Sequence, residues 1–330
     1  MPTSIREVAR HAGVSIATVS HVINNTRYVK EETRKKVQDS IEQLGYCPNA
    51  IARSFKTGRH NLIAFITPDI ANPFYSAMIE EVEAVISAKG YRLLICNTKE
   101  DAVKEADALR VLANGVVDGF IIASAFLSYD PIAKMLPANL PVIFVDRSLE
   151  NNPCDTLLID NYHALQKGIE YLIHQGHTHI AYITVKNQLS TVIERRAAYE
   201  DTMASHHLPT DDLVFIANPL SSLFSDNLAP LLREDITAIA VPNACLSTEV
   251  LTFLEEHGRI PGKDIEAIGY KESNQPQYIN PSISLISQPA EALGRAAGHQ
   301  LLERMSNPDL PTCRTILSAT FIPKTDRHKI

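Results

Sequence analysis

From Leu62 onward the chain alternates short apolar runs with amphipathic stretches, and it does so twice, which leaves few architectures open. The apolar runs fall at Leu62–Thr67, Arg92–Cys96, Gly119–Ala123 and Val142–Asp146, and again near Ile180–Val185, Val214–Ala217, Ile236–Val241 and Ile265–Tyr270. A strand that is apolar throughout is buried on both faces, and strands that alternate with helices form parallel sheets covered on both sides. Two such runs predict two α/β lobes. A helix is expected between the first two strands, from about Tyr75 to Ala88. Ligands of open parallel sheets bind beyond the carboxyl ends of the strands, so two lobes facing each other would enclose a cleft.

The first sixty residues read differently. Ser4 and Glu7 form an S-x-x-E capping box ahead of Ile5, Val8, Ala9 and Ala12 on one helical face. Gly13 breaks that helix, and Ser15 caps a second one that turns Val19, Val22 and Ile23 inward. After Asn24-Asn25 a third helix runs from about Lys30 to Leu44, with Val37, Ile41 and Leu44 inward and Gly45 as its stop. Two short helices joined by a glycine-containing turn make a helix-turn-helix, whose second helix enters the DNA major groove. Outward on that helix stand Ile16, Ala17, Thr18, Ser20 and His21, small or polar and none acidic.

Charge is partitioned along the chain in the same way. The net charge of -7 is the sum of two unlike parts. Residues 1–60 carry ten Lys/Arg against five Asp/Glu, a net +5, while the remaining 270 carry -12. A basic end on an acidic body suits contact with a polyanion at that end alone.

The segment SIREVARHAGVSIATVSHVINNTRYVKEETRKKV resembles the headpiece of the lac-repressor/galactose-repressor family, and within it VSHVINNTRYVKEETR is most similar to the purine-repressor branch. PNAIARSFKTG resembles the family's hinge. Weaker resemblance continues through DIANPFYSAMIEEVE, GVVDGFIIAS, PVIFVDR, LLIDNYHALQKGIEYLIHQGHTHIAYI, ERRAAYEDTM, IPGKDIEAIGY and SLISQPAEALGRAA. It implies an all-α headpiece over 1–48, a hinge helix and linker over 49–61, and over 62–330 a two-lobed core like a periplasmic sugar-binding protein. Lobe 1 would span about 62–160 and 290–320, and lobe 2 about 162–288 and 323–330. The chain would cross between them near Asp160–Tyr162, Ser287–Pro289 and Thr320–Pro323, with a last helix at about Ala290–Met305 returning to lobe 1.

The resemblance also implies residue roles. Base-reading positions fall on Ile16, Ala17, His21 and Arg27, beside the cap Ser15. Arg27 can donate two hydrogen bonds to a guanine edge, whereas Ile16 and Ala17 offer only apolar contact. Thr18, Asn24 and Thr33 are expected on phosphates. In the hinge, Ala52, Phe55 and Lys56 would meet DNA, with Phe55 as the minor-groove wedge where the family usually has leucine. For a small-molecule effector the candidates are Phe74 and Tyr75, which could stack on a ring, then Asp146, Arg147, Asp160, Arg195, Asn243 and Lys271 at strand ends and the first crossover. Two departures stand out: Asn243 is followed by Ala244 and Gly269-Tyr270 by Lys271, where many members have Asp. The expected effector is a sugar, sugar derivative or other metabolite; with two carboxylates absent and a cation at one site, it is expected to be unlike a plain neutral sugar, for example one with a carboxylate or phosphate.

The implied function is an allosteric transcriptional regulator, a repressor in the first place with activation left open, acting as a homodimer on a near-palindromic operator. No heptad extension follows Phe321, which favours a dimer over a tetramer. No P-loop, G-x-S-x-G, H-E-x-x-H or G-x-G-x-x-G following a strand supports an enzyme, and no cofactor or metal is expected. His174, His177 and His179 lie where a helix ends and a strand begins, and a structural role is expected for them. The five cysteines are widely spaced and read as reduced. MPTSIREVAR has no apolar core of a leader and no apolar run reaches the roughly 18 residues of a membrane span, so a cytoplasmic protein without membrane contact is expected.

The charge partition yields a first prediction. DNA affinity of the full chain should fall about a thousandfold between about 50 and 200 mM salt in a fluorescence-anisotropy titration, as when both headpieces of a dimer engage phosphates. Residues 60–330 alone should not bind. A flat salt response would sever the basic end from DNA contact.

Overall fold

The structure is a computed structural model, and it describes residues 3–25, 27–46, 60–217, 224–271 and 282–324. Two compact units divide the chain, Met1–His60 and Asn61–Ile330.

In the first unit, three helices surround a small core. They are α1 (Ile5–Ala12), α2 (Ile16–Asn24) and α3 (Glu31–Gln43). Val8, Ala9, Val19, Val22 and Val37 are its buried members. The capping box closes both ways at Ser4 and Glu7, and Gly13 ends α1 in the left-handed region at φ 67, which only glycine enters cheaply. Ser15 Oγ accepts the Thr18 N–H at 3.1 Å to start α2. The expected hinge residues, Ala52, Phe55 and Lys56 among them, lie outside the described residues.

The second unit holds two six-stranded sheets. Lobe 1 contains β1 (Leu62–Thr67), α4 (Pro73–Ser87), β2 (Arg92–Asn97), α5 (Ala102–Leu112), β3 (Gly119–Ile122), α6 (Asp130–Ala133), β4 (Val142–Val145) and β5 (Asp155–Asp160). Lobe 2 contains α7 (Asn161–His174), β6 (Ile180–Thr184), α8 (Ser190–Ser205), β7 (Val214–Ile216), α9 (Phe224–Leu228), β8 (Ala238–Ala240), α10 (Ala244–Glu256), β9 (Glu266–Lys271) and β10 (Ser284–Ser287). Then α11 (Ala290–Ser306) and β11 (Arg314–Ser318) return to lobe 1, and β12 (Thr320–Ile322) goes back to lobe 2. Strand order is β11-β5-β4-β3-β1-β2 in one sheet and β12-β10-β9-β8-β6-β7 in the other. Every pair is parallel except β10 with β12.

Burial explains the unbroken apolar strands. Along β1, Ile63 and Phe65 join the core under α4 and α11, while Ala64 and Ile66 join the one under α5. Lobe 2 repeats this, with Tyr182 facing α7 and α8 and Ile183 facing α10.

Sequence expectation and structure part at a few ends. Helix α4 starts at Pro73, two residues before Tyr75, because Asn72 caps it through its side chain and proline suits the first turn. The ladder shortens the expected Ile236–Val241 strand to Ala238–Ala240, and Ile236 N–H bonds back to Arg233 O at 3.3 Å in a turn. The third crossover falls at Ala319 rather than over Thr320–Pro323, because Thr320 already pairs with Ser287 in the second sheet.

Helices α4 and α11 approach closely at Gly294, where an added Cβ would lie 2.4 Å from Met78 O and 2.9 Å from Met78 Cα. Backbone cannot retreat as a side-chain tip can, so Gly294→Ala must push the helices apart. It should destabilise the core by about 1–3 kcal/mol in urea unfolding. An unchanged midpoint would mean that the helix pair is loosely packed.

Candidate functional site

In the first unit, the predicted DNA-reading residues gather on α2, in the turn beyond it and at the start of α3. Ser15, Ile16 and Ala17 are exposed where α2 begins, with Ile16 44% exposed. Ser15 Oγ and Thr18 Oγ1 lie 2.9 Å apart, so these two hydroxyls bond to each other as well as forming the cap. Asn24 Nδ2 donates to Ser20 O at 2.9 Å and to Ser20 Oγ at 3.3 Å. Asn25 turns the chain at φ 49 and accepts from Arg34 Nη2 at 3.0 Å. Arg27 is exposed beyond that turn, His21 is half-buried on α2, and Thr33 is half-buried in the first turn of α3.

In the second unit, the carboxyl ends of β1 to β4 place a bonded network. Asp146 follows β4 and is buried in the left-handed region at φ 70, a costly conformation for a residue with a Cβ. It is held there by its N–H bond to Leu157 O at 2.9 Å and by the Tyr75 hydroxyl, which donates to Oδ2 at 2.8 Å. Arg147 is buried beside it. Its Nη1 donates to Glu100 Oε2 at 2.8 Å and Ser124 O at 2.9 Å, and its Nη2 to Glu100 Oε1 at 2.6 Å and the Tyr75 oxygen at 3.2 Å. Burial opposes the charge on Arg147, but the Glu100 and Asp146 carboxylates outweigh it and hold the guanidinium protonated. Burial also drives the Tyr75 hydroxyl well above its ordinary range, so it stays a donor. Phe74 and Tyr75, expected to stack on a ligand, are both buried and meet edge to face at 5.1 Å. The early start of α4 turns them into the core and leaves the Tyr75 hydroxyl at the site.

Behind Ser124 sits Glu105, with no exposed surface. It accepts from Ser124 Oγ and from Ala125 N–H, each at 2.6 Å. It thereby fixes the loop whose carbonyl receives Arg147.

The lobe 2 ends are arranged differently. Arg195 is buried on α8. Its Nε donates to Asn161 Oδ1 at 2.9 Å, its Nη1 to Pro242 O at 2.7 Å, and its guanidinium lies 4.6 Å over the Tyr270 ring. Asn161 also donates to Glu194 Oε2 at 3.2 Å, and burial raises the Glu194 carboxyl above its usual range. Asp160 and Asn243 have helix-capping work: Asp160 Oδ1 accepts the His163 N–H at 3.1 Å and Asn243 Oδ1 accepts the Leu246 N–H at 2.9 Å. Lys271 ends β9 half-buried, and its ammonium meets no carboxylate among the described residues. Among the described residues, Ser148 N–H joins the two lobes' ends directly by donating to Ser190 Oγ at 2.9 Å.

The structure thus bonds Tyr75, Asp146 and Arg147 into one network in lobe 1, while in lobe 2 Arg195 lies over the Tyr270 ring and Lys271 ends β9. Glu100, Ser124, Asn161, Glu194 and Tyr270 were missed. The strand-end rule, applied to every strand rather than to selected ones, finds all of them except Glu194, which only its neighbour Arg195 could have flagged. Of the three clustered histidines, His174 Nδ1 bonds Glu170 O at 2.7 Å, His177 Nδ1 bonds Thr237 Oγ1 at 2.8 Å, and His179 Nδ1 lies 3.2 Å from Thr178 Oγ1. Among the described residues no group of three or more His, Cys, Asp and Glu could hold a metal ion, and no helix is long and apolar enough to cross a membrane.

Comparison with known proteins agrees with this division. Residues 4–49 match the family described as bacterial regulatory proteins, lacI family. Residues 60–324 match periplasmic binding proteins and sugar binding domain of LacI family. The HTH-type transcriptional repressor PurR of Vibrio campbellii is 32% identical over 312 residues, covering 93% of each chain. The lac repressor dimer bound to operator and the anti-inducer ONPF has the same fold, with a TM-score of 0.83 at 23% identity over 98% of both chains. A LacI family transcriptional regulator from Enterococcus faecium with bound ribose gives 0.71 at 26% identity, over 79% of this chain and 96% of that one.

Glu105 allows a test of the network by pH. Burial raises its carboxyl above the ordinary range, against the lowering pull of Ser124 and Ala125. Folding therefore favours the protonated form. That contribution is complete below the ordinary glutamate range and is lost as pH rises through the raised value. Glu105→Gln, which keeps an oxygen for Ala125 N–H, should gain on wild type in urea midpoint between about pH 4 and pH 7. A constant offset across pH would refute the burial account.

Proposed function

The chain belongs to the LacI family of bacterial regulatory proteins, and from that membership we propose a sequence-specific transcriptional repressor, working in the cytoplasm, whose operator affinity answers to a small molecule held between two lobes. The observation that carries this reading is the pairing, in one chain, of a capped helix-turn-helix exposing the start of α2 with two largely parallel sheets whose strand ends bear buried, hydrogen-bonded charge. It acts as a dimer, with two headpieces on the half-sites of a near-palindromic operator and DNA along Ser15, Ile16, Ala17, Thr18, His21, Asn24, Arg27 and Thr33. The hinge roles of Ala52, Phe55 and Lys56 rest on the sequence resemblance alone.

Ligand binding shifts the equilibrium between lobe arrangements only as far as it prefers one of them. Three chain crossovers and the Ser148–Ser190 bond connect the lobes. The effector is anionic. In lobe 1 the Arg147 charge is already matched by Glu100 and Asp146, whereas in lobe 2 Arg195 is held by neutral oxygens and Lys271 faces no described carboxylate.

A thermal-shift screen of the full chain against sugars, sugar phosphates, sugar acids, purines and nucleosides tests this. A carboxylate or phosphate ligand should raise the melting temperature, with about 2.7 kcal/mol of added stability at a hundredfold excess over its dissociation constant. Lys271→Asp should weaken that ligand tenfold or more, about 1.4 kcal/mol, without touching its neutral analogue. A shift from neutral sugars or purines alone, or native affinity in Lys271→Asp, would sink the anionic reading.

A further inference from the structure

We infer that this regulator selects its operator by reading thymine methyl groups through Ile16 and Ala17, at one or two positions in each half-site. The inference rests on the proposed role of α2 as the recognition helix and adds what that helix reads.

The argument starts from what the first turn of α2 can present. Ser15 and Thr18 hold each other at 2.9 Å, and Ser15 also accepts the Thr18 N–H, so both hydroxyls already serve the helix start. Ser20 and Asn24, a turn further on, are bonded to one another. Between them, Val19 and Val22 are buried in the three-helix core. Ile16 stands one turn ahead of Val19, past the end of that core, and keeps 44% of its surface exposed. Ala17 beside it is exposed too. The residues that a helix-turn-helix brings first to the base edges are therefore an isoleucine and an alanine, with no donor or acceptor on either side chain.

Such a pair has one favourable target. In the major groove adenine, guanine and cytosine present only hydrogen-bonding groups, whereas thymine also presents its C5 methyl. Pressing isoleucine onto a polar edge would strip water from it and return no hydrogen bond. Pressing it onto a methyl removes apolar surface from water on both sides. The β-branched side chain is stiff in a helix, so little rotamer freedom is lost on contact. Discrimination by Ile16 and Ala17 is thus for the methyl itself, not for the base pair that carries it.

Chemically modified DNA separates those two. The full chain is used to enrich binding sites from random duplexes. Each thymine of the enriched half-site is then replaced in turn by deoxyuridine, which pairs identically and lacks only the methyl. One or two replacements should each weaken binding about fourfold, the effect of one buried methyl at roughly 0.8 kcal/mol. At those positions a 5-methylcytosine·guanine pair should bind about fourfold tighter than cytosine·guanine, since it restores the methyl on a different base. Ile16→Ser should bring the thymine-to-uracil ratio close to one, and Ala17→Ser should lower it, while other positions keep their preferences. Equal binding of thymine and uracil at every position would overturn the inference, as would a ratio left intact in both variants. Enrichment of no sequence at all would overturn the DNA-binding reading beneath it, a distinct result.

Discussion

A parallel strand covered on both faces has nowhere to put a polar side chain except beyond its end. That constraint shapes the second unit. Ile121 and Ile122, or Ile143 and Phe144, point to opposite faces, yet all are fully buried. Polar chemistry is therefore expelled to the loops after the strands, where Glu100, Ser124 and Asp146-Arg147 follow β2, β3 and β4, and Lys271 closes β9. Because parallel strands all end on the same side, these loops become neighbours without any local sequence signal linking them. The Tyr75–Asp146 and Arg147–Glu100 bonds, between residues 71 and 47 positions apart, are products of that geometry.

Two buried arginines then meet unlike fates. Arg147 receives both oxygens of Glu100 and lies 3.4 Å from Asp146, so its charge is answered inside lobe 1. Arg195 receives a side-chain amide oxygen, a backbone carbonyl and an aromatic face. A buried cation is costly unless matched. Neutral acceptors solvate Arg195 without a direct ion pair among the described residues, and burial raises the carboxyl of the adjoining Glu194 against the lowering pull of Asn161 and Arg195. Ser190, at the start of the same helix as Arg195, accepts the Ser148 N–H immediately after Arg147, which ties the matched and unmatched halves together. An anionic effector of the kind proposed would complete the second half without competing with the first.

Which of this could be read in the sequence depends on the range of the interaction. Caps and periodicities are local, so the Ser4–Glu7 box, the Ser15 cap and the strand cores were legible. The local signal at Asn72-Pro73 was equally present, and overlooking it started the helix late and left Phe74 and Tyr75 outside the core. Asp160 and Asn243 illustrate the converse: each precedes a helix, and the capping rule assigns their oxygens to it before any ligand is considered. What no local rule could supply is partnership. Nothing in K-E-D at 99–101 announces that Glu100 grips Arg147, and the demand for glycine at 294 comes from Met78 on another helix.

The small size of the first unit bears on how it divides its labour. With five buried side chains in its core, it depends on caps and turns for definition, and its Ser15, Thr18, Ser20 and Asn24 side chains are spent on the helix they belong to. Hydroxyls and amides so engaged are preorganised but poorly placed to read bases as well. The proposed readers are groups the fold does not need, the apolar pair at the start of α2 and Arg27 beyond its end. Methyl contacts discriminate by small steps and add little to overall affinity. Affinity must come from elsewhere, and the net +5 of residues 1–60 supplies it through phosphates, which hold the helix in register without regard to sequence.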